Sequence, residues 1–244
     1  MRYNSFRAIN LLVLGILASA GCGTTAKFVY PNKVSNLVRL SDKPTHNLVV
    51  AVMPFEEGRS DINQMGTYFF SFVPLMPYGW MTYERPDAAR FFNTVREFQF
   101  DVSEDLAKAA ATSIRRSGLF KDVFFTFGGE KDRADLILTG TVISTKWNGK
   151  VITYGLSIAG PYLWLLGLPA GLSTSDFIVK LELKNVKTGD LIWEFAHTDS
   201  FRVWQGFYYN WGHDVKGYSS LMERAMNAAL KDMQKELARP LNNE

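Results

Sequence analysis

The sequence predicts a single α+β domain, an antiparallel-rich sheet with two packed helices and two apolar insertions. Apolar or alternating runs bounded by turn residues, typical of strands, are interleaved with two segments of helical periodicity. Their order is strand, insertion, helix, strands, insertion, hairpin, helix, which is not the strict alternation of a parallel α/β fold. The chain has 244 residues, 47% hydrophobic and 21% charged, and is long enough to bury one sizeable core.

The first strand and the two helices are predicted from apolar runs and helical spacing. Asn47–Phe55 (NLVVAVMPF) is an apolar run with a proline near its end, which is typical of a buried strand. Asp101–Ser117 has the pattern of an amphipathic helix, with Ser103 as the predicted N-cap and Gly118 as the predicted stop. Tyr218–Arg239 carries an apolar stripe at helical spacing and is predicted to close the domain as a second helix.

The remaining strands are predicted in the second half of the chain. Lys121–Phe127 and Asp135–Trp147 are predicted strands, and Asn148-Gly149 after them is a strong turn signal. In Phe177–Val186, apolar residues alternate with charged ones, as in a strand with one wet face. Together with Leu191–Ala196 this segment predicts a hairpin.

The amino terminus has the organisation of a secretory signal peptide. Met1–Asn10 carries two arginines and no acidic residue, and Leu11–Ala20 is an apolar stretch too short to cross a bilayer as a helix. Small residues follow, up to the only cysteine of the chain, Cys22. A basic start, a short apolar middle and a small-residue boundary predict a signal peptide over residues 1–21.

The end of this leader, Ser19-Ala20-Gly21-Cys22, resembles the lipobox of bacterial lipoproteins, with Ser19 where leucine is usual. The resemblance implies that the Cys22 thiol carries diacylglycerol, that the leader is cut before it, and that the new amino terminus is acylated. Several acyl chains anchor a protein stably. Gly23 follows instead of aspartate, which by resemblance to the enterobacterial sorting rule favours the outer membrane. The alternative is an ordinary secreted protein cut nearby.

The segment between leader and domain is predicted to be a flexible tether. Gly23–His46 is polar, contains two prolines and shows little periodicity. The predicted organisation is therefore a signal peptide over 1–21, a lipidated Cys22 with its tether over 22–46, and an α+β periplasmic domain over 47–240.

Three segments of the predicted domain resemble a known lipoprotein superfamily. They are the strand VVAVMPFEEGR (Val49–Arg59), the helix end SIRRSGLFKDV (Ser113–Val123) and the strand RADLILTGTV (Arg133–Val142). The superfamily includes the curli secretion channel subunit, the penicillin-binding-protein activator LpoB and the amino-terminal domain of the Tol system's propeller protein. The resemblance implies an envelope lipoprotein that binds or builds a larger assembly and is not an enzyme.

Nothing in the sequence predicts catalysis, a metal or a cofactor. The three histidines lie far apart, and Gly-x-Ser-x-Gly, His-Glu-x-x-His and Walker-type segments are absent from the sequence. Glu56, Glu57 and Asp61 could do acid–base work or hold calcium, but an exposed acidic loop is favoured. Without the two leader arginines, 25 basic residues (27 − 2) face 24 acidic ones, which argues against nucleic-acid binding.

The unusual feature of the sequence is two long charge-free segments, Ile62–Tyr83 and Val151–Ser175, with a third aromatic-rich segment at Phe201–Trp211. Prolines interrupt the first two, so straight membrane-spanning helices are not expected. The segments could pack on each other, contact a membrane or partner, or line a pore. The candidate membrane or partner surface comprises Phe69, Phe70, Phe72, Trp80, Tyr162, Trp164, Trp204 and Tyr208.

The predicted function is that of an outer-membrane lipoprotein facing the periplasm. It would be bound to the membrane through Cys22 and would act without catalysis, as an accessory or scaffold in a cell-envelope assembly. Its protein partners are unidentified, and it could form a homo-oligomer. One alternative is an oligomeric secretion channel subunit that inserts its apolar segments into the outer membrane. The other is a hydrolase of envelope material, supported only by the Glu56, Glu57 and Asp61 cluster.

Overall fold

The structure, a computed structural model, describes residues 25–60, 64–88 and 97–238 and confirms a single α+β domain with a mostly antiparallel sheet. The predicted signal peptide and Cys22 lie outside the described residues. The helices are α1 (Val102–Ser117), α2 (Pro161–Leu165) and α3 (Gly217–Leu237). The strands are β1 (Thr25–Lys27), β2 (His46–Val52), β3 (Glu56–Glu57), β4 (Gln64–Thr67), β5 (Tyr78–Tyr83), β6 (Glu97–Gln99), β7 (Phe120–Phe125), β8 (Leu136–Ser144), β9 (Trp147–Ile152), β10 (Gly171–Asn185) and β11 (Leu191–Gln205).

The main sheet is organised around the long hairpin of β10 and β11. Its strand order is β4-β5-β9-β10-β8-β2-β7, with β11 paired to β10 and β3 paired to β8. β2 runs parallel to both β7 and β8, whereas β10 is antiparallel to β8, β9 and β11. β1 and β6 form a separate parallel pair.

One edge of β10 is shared by two successive strands, which divides the sheet into two levels. β8 pairs with the part of β10 from Ile178 to Asn185, and β9 pairs with the part from Gly171 to Ser175. The lower level, β7-β2-β8 with the lower hairpin, carries the two long helices. The upper level, which we call the distal sheet, consists of β4, β5, β9 and the adjoining ends of β10 and β11.

The turn predicted at Asn148-Gly149 is wrong, because both residues lie inside β9. Asn148 is paired across the sheet with Thr82 on one side and Thr174 on the other. The chain is interrupted earlier, at Thr145 and Lys146, between β8 and β9. A fifteen-residue β10 offers backbone partners beyond the end of β8, and these override the local turn preference.

The two predicted helices are confirmed and supply much of the core. Leu106 and Ile114 of α1 and Met222 and Met226 of α3 are all at most 1% exposed. The two helices pack on each other, α1 also against β2 and β7 and α3 against the hairpin. The methionine stripe of α3 therefore fills the core.

The predicted N-cap of α1 is corrected to Asp101. The Asp101 carboxylate accepts a hydrogen bond from the backbone N–H of Glu104. Ser103 is already inside the helix, where its hydroxyl donates to the carbonyl of Phe55 at 2.5 Å. This bond ties the start of α1 to the chain leaving β2. Gly118 ends the helix with a left-handed backbone (φ 76°), as predicted.

The segment predicted as a tether is not free in its described part, residues 25–46. Phe28 is buried, and the hydroxyls of Tyr30 and Ser113 on α1 are hydrogen-bonded. The backbone N–H and side-chain amide of Asn32 donate to α3, the former to Glu223 at 2.6 Å. Further along, the backbone N–H of Leu40 donates to the carbonyl of Ser117 at the end of α1. The segment therefore runs along both helices, from the start of α1 to its end.

Replacing Glu223 by alanine is expected to loosen this segment. The carboxylate is 5% exposed and accepts from the Asn32 backbone and, at 2.8 Å, from the Asn36 side chain. Hydrogen bonds to charged groups contribute about 1.5–3 kcal/mol each, but Asn32 and Asn36 are exposed and their donors can turn to water when the carboxylate is removed. We therefore expect a loss of about 2 kcal/mol from the free energy of unfolding, less than the sum of the two bonds. Denaturant titration measures the loss, and limited proteolysis should cut between residues 25 and 41. Lys231→Ala, an exposed site on the same helix, should change neither measurement.

Candidate interaction surface

The distal sheet carries a row of large side chains across its strands. Thr67, Trp80, Lys150, Leu172 and Trp204 are successive register partners on β4, β5, β9, β10 and β11. Because register partners point to the same face of a sheet, the two tryptophans and the lysine lie on one face. Trp204 is 49% exposed.

Beyond this row, three segments close the end of the molecule, and we call them the apolar end: residues 68–77, 153–170 and 206–211. They begin where the last backbone pairs of the sheet are made, Ile152 N–H to the Ala170 carbonyl and Ala170 N–H to the Gln205 carbonyl. None of the three segments contains Asp, Glu, Lys, Arg or His. The apolar end is thus continuous with the sheet and free of formal charge.

The two charge-free insertions pack on each other at the apolar end through hydrogen bonds to main-chain carbonyls. The Thr153 hydroxyl donates to the carbonyl of Ser71 at 2.9 Å, and the Ser157 hydroxyl donates to that of Phe72. The backbone N–H of Leu75 donates to the carbonyl of Gly155 at 2.9 Å. The backbones of the two insertions therefore hold each other in a defined arrangement.

The side chains of the apolar end divide into anchors and exposed groups. Trp164 of α2 is 9% exposed, and its indole N–H donates to the carbonyl of Ile152 at 2.8 Å. The Tyr208 hydroxyl donates to the carbonyl of Leu165 at 3.1 Å, which joins the third segment to the second. The large side chains left exposed are Phe69, Phe70, Phe72, Leu75, Met76, Leu156, Ile158, Leu166, Leu168, Tyr208, Tyr209 and Trp211.

The eight residues predicted as a membrane or partner surface fall into three groups in the structure. Phe69, Phe70, Phe72 and Tyr208 belong to the exposed apolar end. Trp80 and Trp204 lie one step behind it, in the cross-strand row. Tyr162 is half-buried on α2 and Trp164 is buried, so Trp164 supports the surface from inside and is not part of it.

The most exposed side chains were missed by sequence reasoning because they are aliphatic residues in the turns and short helices of the insertions. Leu75 is 90% exposed, Ile158 79% and Leu166 75%. Leu75 also has a left-handed backbone (φ 68°), which costs a residue with a Cβ about 1–2 kcal/mol. A leucine held in that conformation and directed into solvent contributes no packing to the fold. A proline-bounded leucine, as in Val73-Pro74-Leu75-Met76-Pro77, was the available signal.

Behind the apolar end, a buried arginine connects the two levels of the sheet. The Arg59 side chain is 3% exposed and lies between Glu57, at 2.6 Å, and Asp87, at 2.5 Å. The same guanidinium donates to the hydroxyl of Thr145 at 2.7 Å, at the break between β8 and β9. Glu56 and Glu57 are exposed, as predicted, but they form β3 and not a loop, and the Glu57 carboxylate is held by an internal cation. Asp61 lies outside the described residues.

A cleft of about 640 Å³ opens beside this arginine, between β6 and the start of α1. Lys27, Glu57, Asp101 and Asp105 are among its lining residues. Burial lowers the pKa of Arg59, but the hydrogen bonds that it donates to Glu57 and Asp87 outweigh burial and raise the pKa overall, so the guanidinium stays charged. Within the ranges that the structure covers, no group of His, Cys, Asp and Glu is suited to hold a metal ion.

The Glu57–Arg59 pair makes stability depend on acidity. Hydrogen bonding from Arg59 lowers the pKa of the Glu57 carboxyl in the folded protein. The ionised carboxylate therefore stabilises the fold fully above its unfolded-state pKa, about 4.3. This stabilisation is lost as the pH falls through the lower, folded-state pKa. Glu57→Gln should therefore flatten the fall of the melting temperature below about pH 5. Thermal melts from pH 7 to pH 3 measure it. Glu130→Gln, in an exposed pair with Arg133, should keep the wild-type slope.

None of the helices described in the structure has the length and apolar character needed to cross a membrane.

Comparison with known proteins finds likeness only among solved structures. No protein-family description matches the chain, and no curated protein does.

Three solved structures illustrate the likeness. A Xanthomonas campestris protein of family DUF330 is 10% identical, with 86% of this chain and 92% of that one covered and a TM-score of 0.39. A dodecameric PelC variant from Paraburkholderia phytofirmans is 15% identical, with coverages of 79% and 91% and a TM-score of 0.40. A neuraminyllactose-binding hemagglutinin homologue from Helicobacter pylori is 13% identical, with coverages of 88% and 93% and a TM-score of 0.35. At such identities and scores, no conclusion about the function of this chain follows.

Proposed function

We propose that this protein is an outer-membrane lipoprotein that faces the periplasm and acts as a non-catalytic accessory or scaffold in a cell-envelope assembly. The observation that carries the proposal is the apolar end, a charge-free surface of exposed aromatic and aliphatic side chains on a hydrogen-bonded frame. Exposed apolar surface of this extent marks a site of contact with a protein or a membrane.

The chemistry of the cleft supports a structural role for its charged groups. Arg59 is engaged by Glu57, Asp87 and Thr145 together, and Glu57 receives two guanidinium hydrogen bonds, at 2.8 and 2.6 Å. A general acid or base needs a pKa near the working pH, whereas the pKa of Glu57 moves down from its already low value. These groups hold segments together and are poorly suited to proton transfer.

Lipidation is tested by metabolic labelling. Cells expressing the full-length protein and supplied with an alkyne-tagged palmitate should yield a labelled, processed product that fractionates with the outer membrane. Cys22→Ala should abolish both the label and the processing, because no other cysteine is present. Ser19→Leu, which brings the leader closer to the usual lipobox, should keep both. Equal labelling of the wild type and Cys22→Ala would remove the basis for the anchor.

The accessory role is tested by separating the apolar end from the cleft. In cells lacking the chromosomal copy, a variant with Phe69, Phe72 and Ile158 changed to serine should lose the ability to restore envelope integrity, measured as detergent resistance. A Glu56→Gln variant, altered at an exposed carboxylate beside the cleft, should restore it fully. Loss of function in Glu56→Gln with a normal melting temperature would instead favour an enzyme or a metal site.

A further inference from the structure

We infer that the apolar end rests in the interfacial layer of the same bilayer that holds the lipid on Cys22, so that the protein stands on the membrane on this end. The inference rests on the proposed function, since it uses the anchor at Cys22. It assigns a lipid surface, in place of an unspecified partner, to the exposed side chains of the apolar end.

The first step is the position of the described amino terminus. β1 pairs in parallel with β6, whose residues lead directly into Asp101, the N-cap of α1. The start of α1 is tied to Phe55 by Ser103, just beyond the carboxyl end of β2. Lys27 lines the cleft beside Arg59 at the same level. Thr25 therefore lies at the upper margin of the lower sheet level, at the base of the distal sheet.

The second step is the direction in which the distal sheet extends. Going backwards along β10, from Asn185 to Gly171, its neighbour is first β8 and then β9. Each of these two strands runs forwards in that direction, so β9 continues upwards from the point where β8 ends. The distal sheet therefore continues beyond the carboxyl ends of β2 and β8. The six residues of β9 alone extend about 17–20 Å at 3.2–3.4 Å per residue. The apolar end lies past the far end of β9.

The third step compares this extension with the reach of the anchor. Three peptide units join Cys22 to Thr25, and an extended chain spans at most about 3.3–3.6 Å per residue, or roughly 11 Å in total. A bilayer that holds the Cys22 lipid is therefore within about that distance of Thr25. The distal sheet extends further from the level of Thr25 than the chain between Thr25 and Cys22 can reach. When the distal sheet points towards the bilayer, the apolar end therefore enters the bilayer surface.

The distribution of side chains fits a lipid surface. The three most exposed large apolar side chains of the apolar end, Leu75, Ile158 and Leu166, are all aliphatic. Tryptophan and tyrosine side chains lie beside them, with Tyr208 68% exposed, and one step behind, with Trp204 in the cross-strand row and the Lys150 ammonium 4.6 Å from the centre of the Tyr78 ring. Aromatic residues with a polar group and lysine side chains collect at the headgroup level of membranes. The order therefore matches a surface that enters about 5–10 Å of the interface.

The test places a fluorescent label at single positions of the full-length, lipidated protein. Cys22 has no free thiol when alkylated, so an introduced cysteine is the only site that bimane can label. Ile158→Cys and Leu166→Cys probe the apolar end. Thr188→Cys probes the hairpin turn at the opposite end, and Phe127→Cys is an exposed aromatic position outside the apolar end, 73% exposed. Each protein is reconstituted into phosphatidylethanolamine–phosphatidylglycerol vesicles with or without bromine on the acyl chains.

We expect bimane at residues 158 and 166 to lose most of its fluorescence in brominated vesicles, and bimane at 188 and 127 to keep it. Unquenched label at the apolar end, on protein that still floats with the vesicles, overturns the inference and assigns the surface to a protein partner. Failure of the anchor is a different result. In that case the wild-type protein itself takes up bimane at Cys22 and does not float with the vesicles.

Discussion

Replacing Arg59 by methionine is expected to destabilise the protein by about 3 kcal/mol. Methionine keeps the apolar stem but leaves Glu57 and Asp87 next to each other with no cation between them. Removing one partner of a buried ion pair costs roughly 3–5 kcal/mol, and we expect the lower end because the two carboxylates are 41% and 21% exposed and can recruit water. The loss also releases the Thr145 hydroxyl at the break between the two sheet levels.

Equilibrium unfolding in urea measures this effect, and a second replacement identifies its cause. Arg59→Met with Asp87→Asn removes one of the two opposed charges, so the double variant should recover part of the loss. Arg133→Met is the matched control. Its guanidinium is 72% exposed and pairs with Glu130 at 3.1 Å, and exposed pairs contribute about 1 kcal/mol or less. Equal losses in Arg59→Met and Arg133→Met would show that the buried pair does not join the two levels.

The sequence predicted the lower level of the fold well because its signals are local. The alternation of Phe177–Val186 is confirmed inside β10, whose buried and half-buried positions alternate along the strand. The apolar stripe of Tyr218–Arg239 is confirmed in α3. The end of α1 at Gly118 is also confirmed, because it depends only on a residue that adopts a left-handed backbone. In each case one face of the strand or helix must be buried, and the spacing of the apolar residues identifies that face.

The distal sheet could not be predicted because many of its inward positions are small or polar. Ser173 and Ser175 face inward on β10 and are 1% exposed, so an apolar pattern does not mark these residues as a strand. Gly149 on β9 looks like a turn residue for the same reason. These strands are specified by long-range pairing with β5 and β11, which sequence spacing does not contain.

Residues 25–46 differ from the predicted tether because hydrogen bonds attach them to the two long helices. Its polar composition predicts a solvated segment. In the structure the Asn32 and Asn36 side chains donate to Ser220 and Glu223 on α3, and Val38 donates its backbone N–H to Asn227. A polar sequence can lie against a helix when that helix presents matching acceptors. Composition alone does not distinguish this arrangement from a linker.

At the apolar end, the sequence identified the correct segments but could not assign roles within them. The sequence pattern does not distinguish Phe70 from Trp164, since both are aromatic residues in charge-free runs. The structure separates them, with Phe70 41% exposed and Trp164 9% exposed and hydrogen-bonded. The difference depends on which insertion covers the other, and that is a property of the tertiary fold.

Trp164→Ala and Phe70→Ala are therefore expected to have opposite consequences. Truncating a buried tryptophan costs about 3–5 kcal/mol, because the cavity is only partly filled by relaxation and the Ile152 carbonyl loses its donor. Truncating Phe70 at an exposed position should change stability by less than about 1 kcal/mol. Calorimetric melting of each variant gives the first measurement, and flotation with vesicles gives the second.

The pairing of the two measurements is what distinguishes the roles of these side chains. Trp164→Ala should lower the melting temperature strongly and disturb the membrane contact only by loosening the frame that carries the exposed residues. Trp164→Phe removes the hydrogen bond, worth about 1 kcal/mol, and leaves a smaller cavity than alanine does, so its loss should lie between those of the wild type and Trp164→Ala. Phe70→Ala should melt like the wild type. In a form that begins after Cys22 and so carries no lipid, Phe70→Ala combined with Phe69→Ala should nevertheless weaken attachment to vesicles, since both rings contribute exposed apolar area. A large stability loss in Phe70→Ala would place this ring in the core, and the apolar end would then be smaller than the structure indicates.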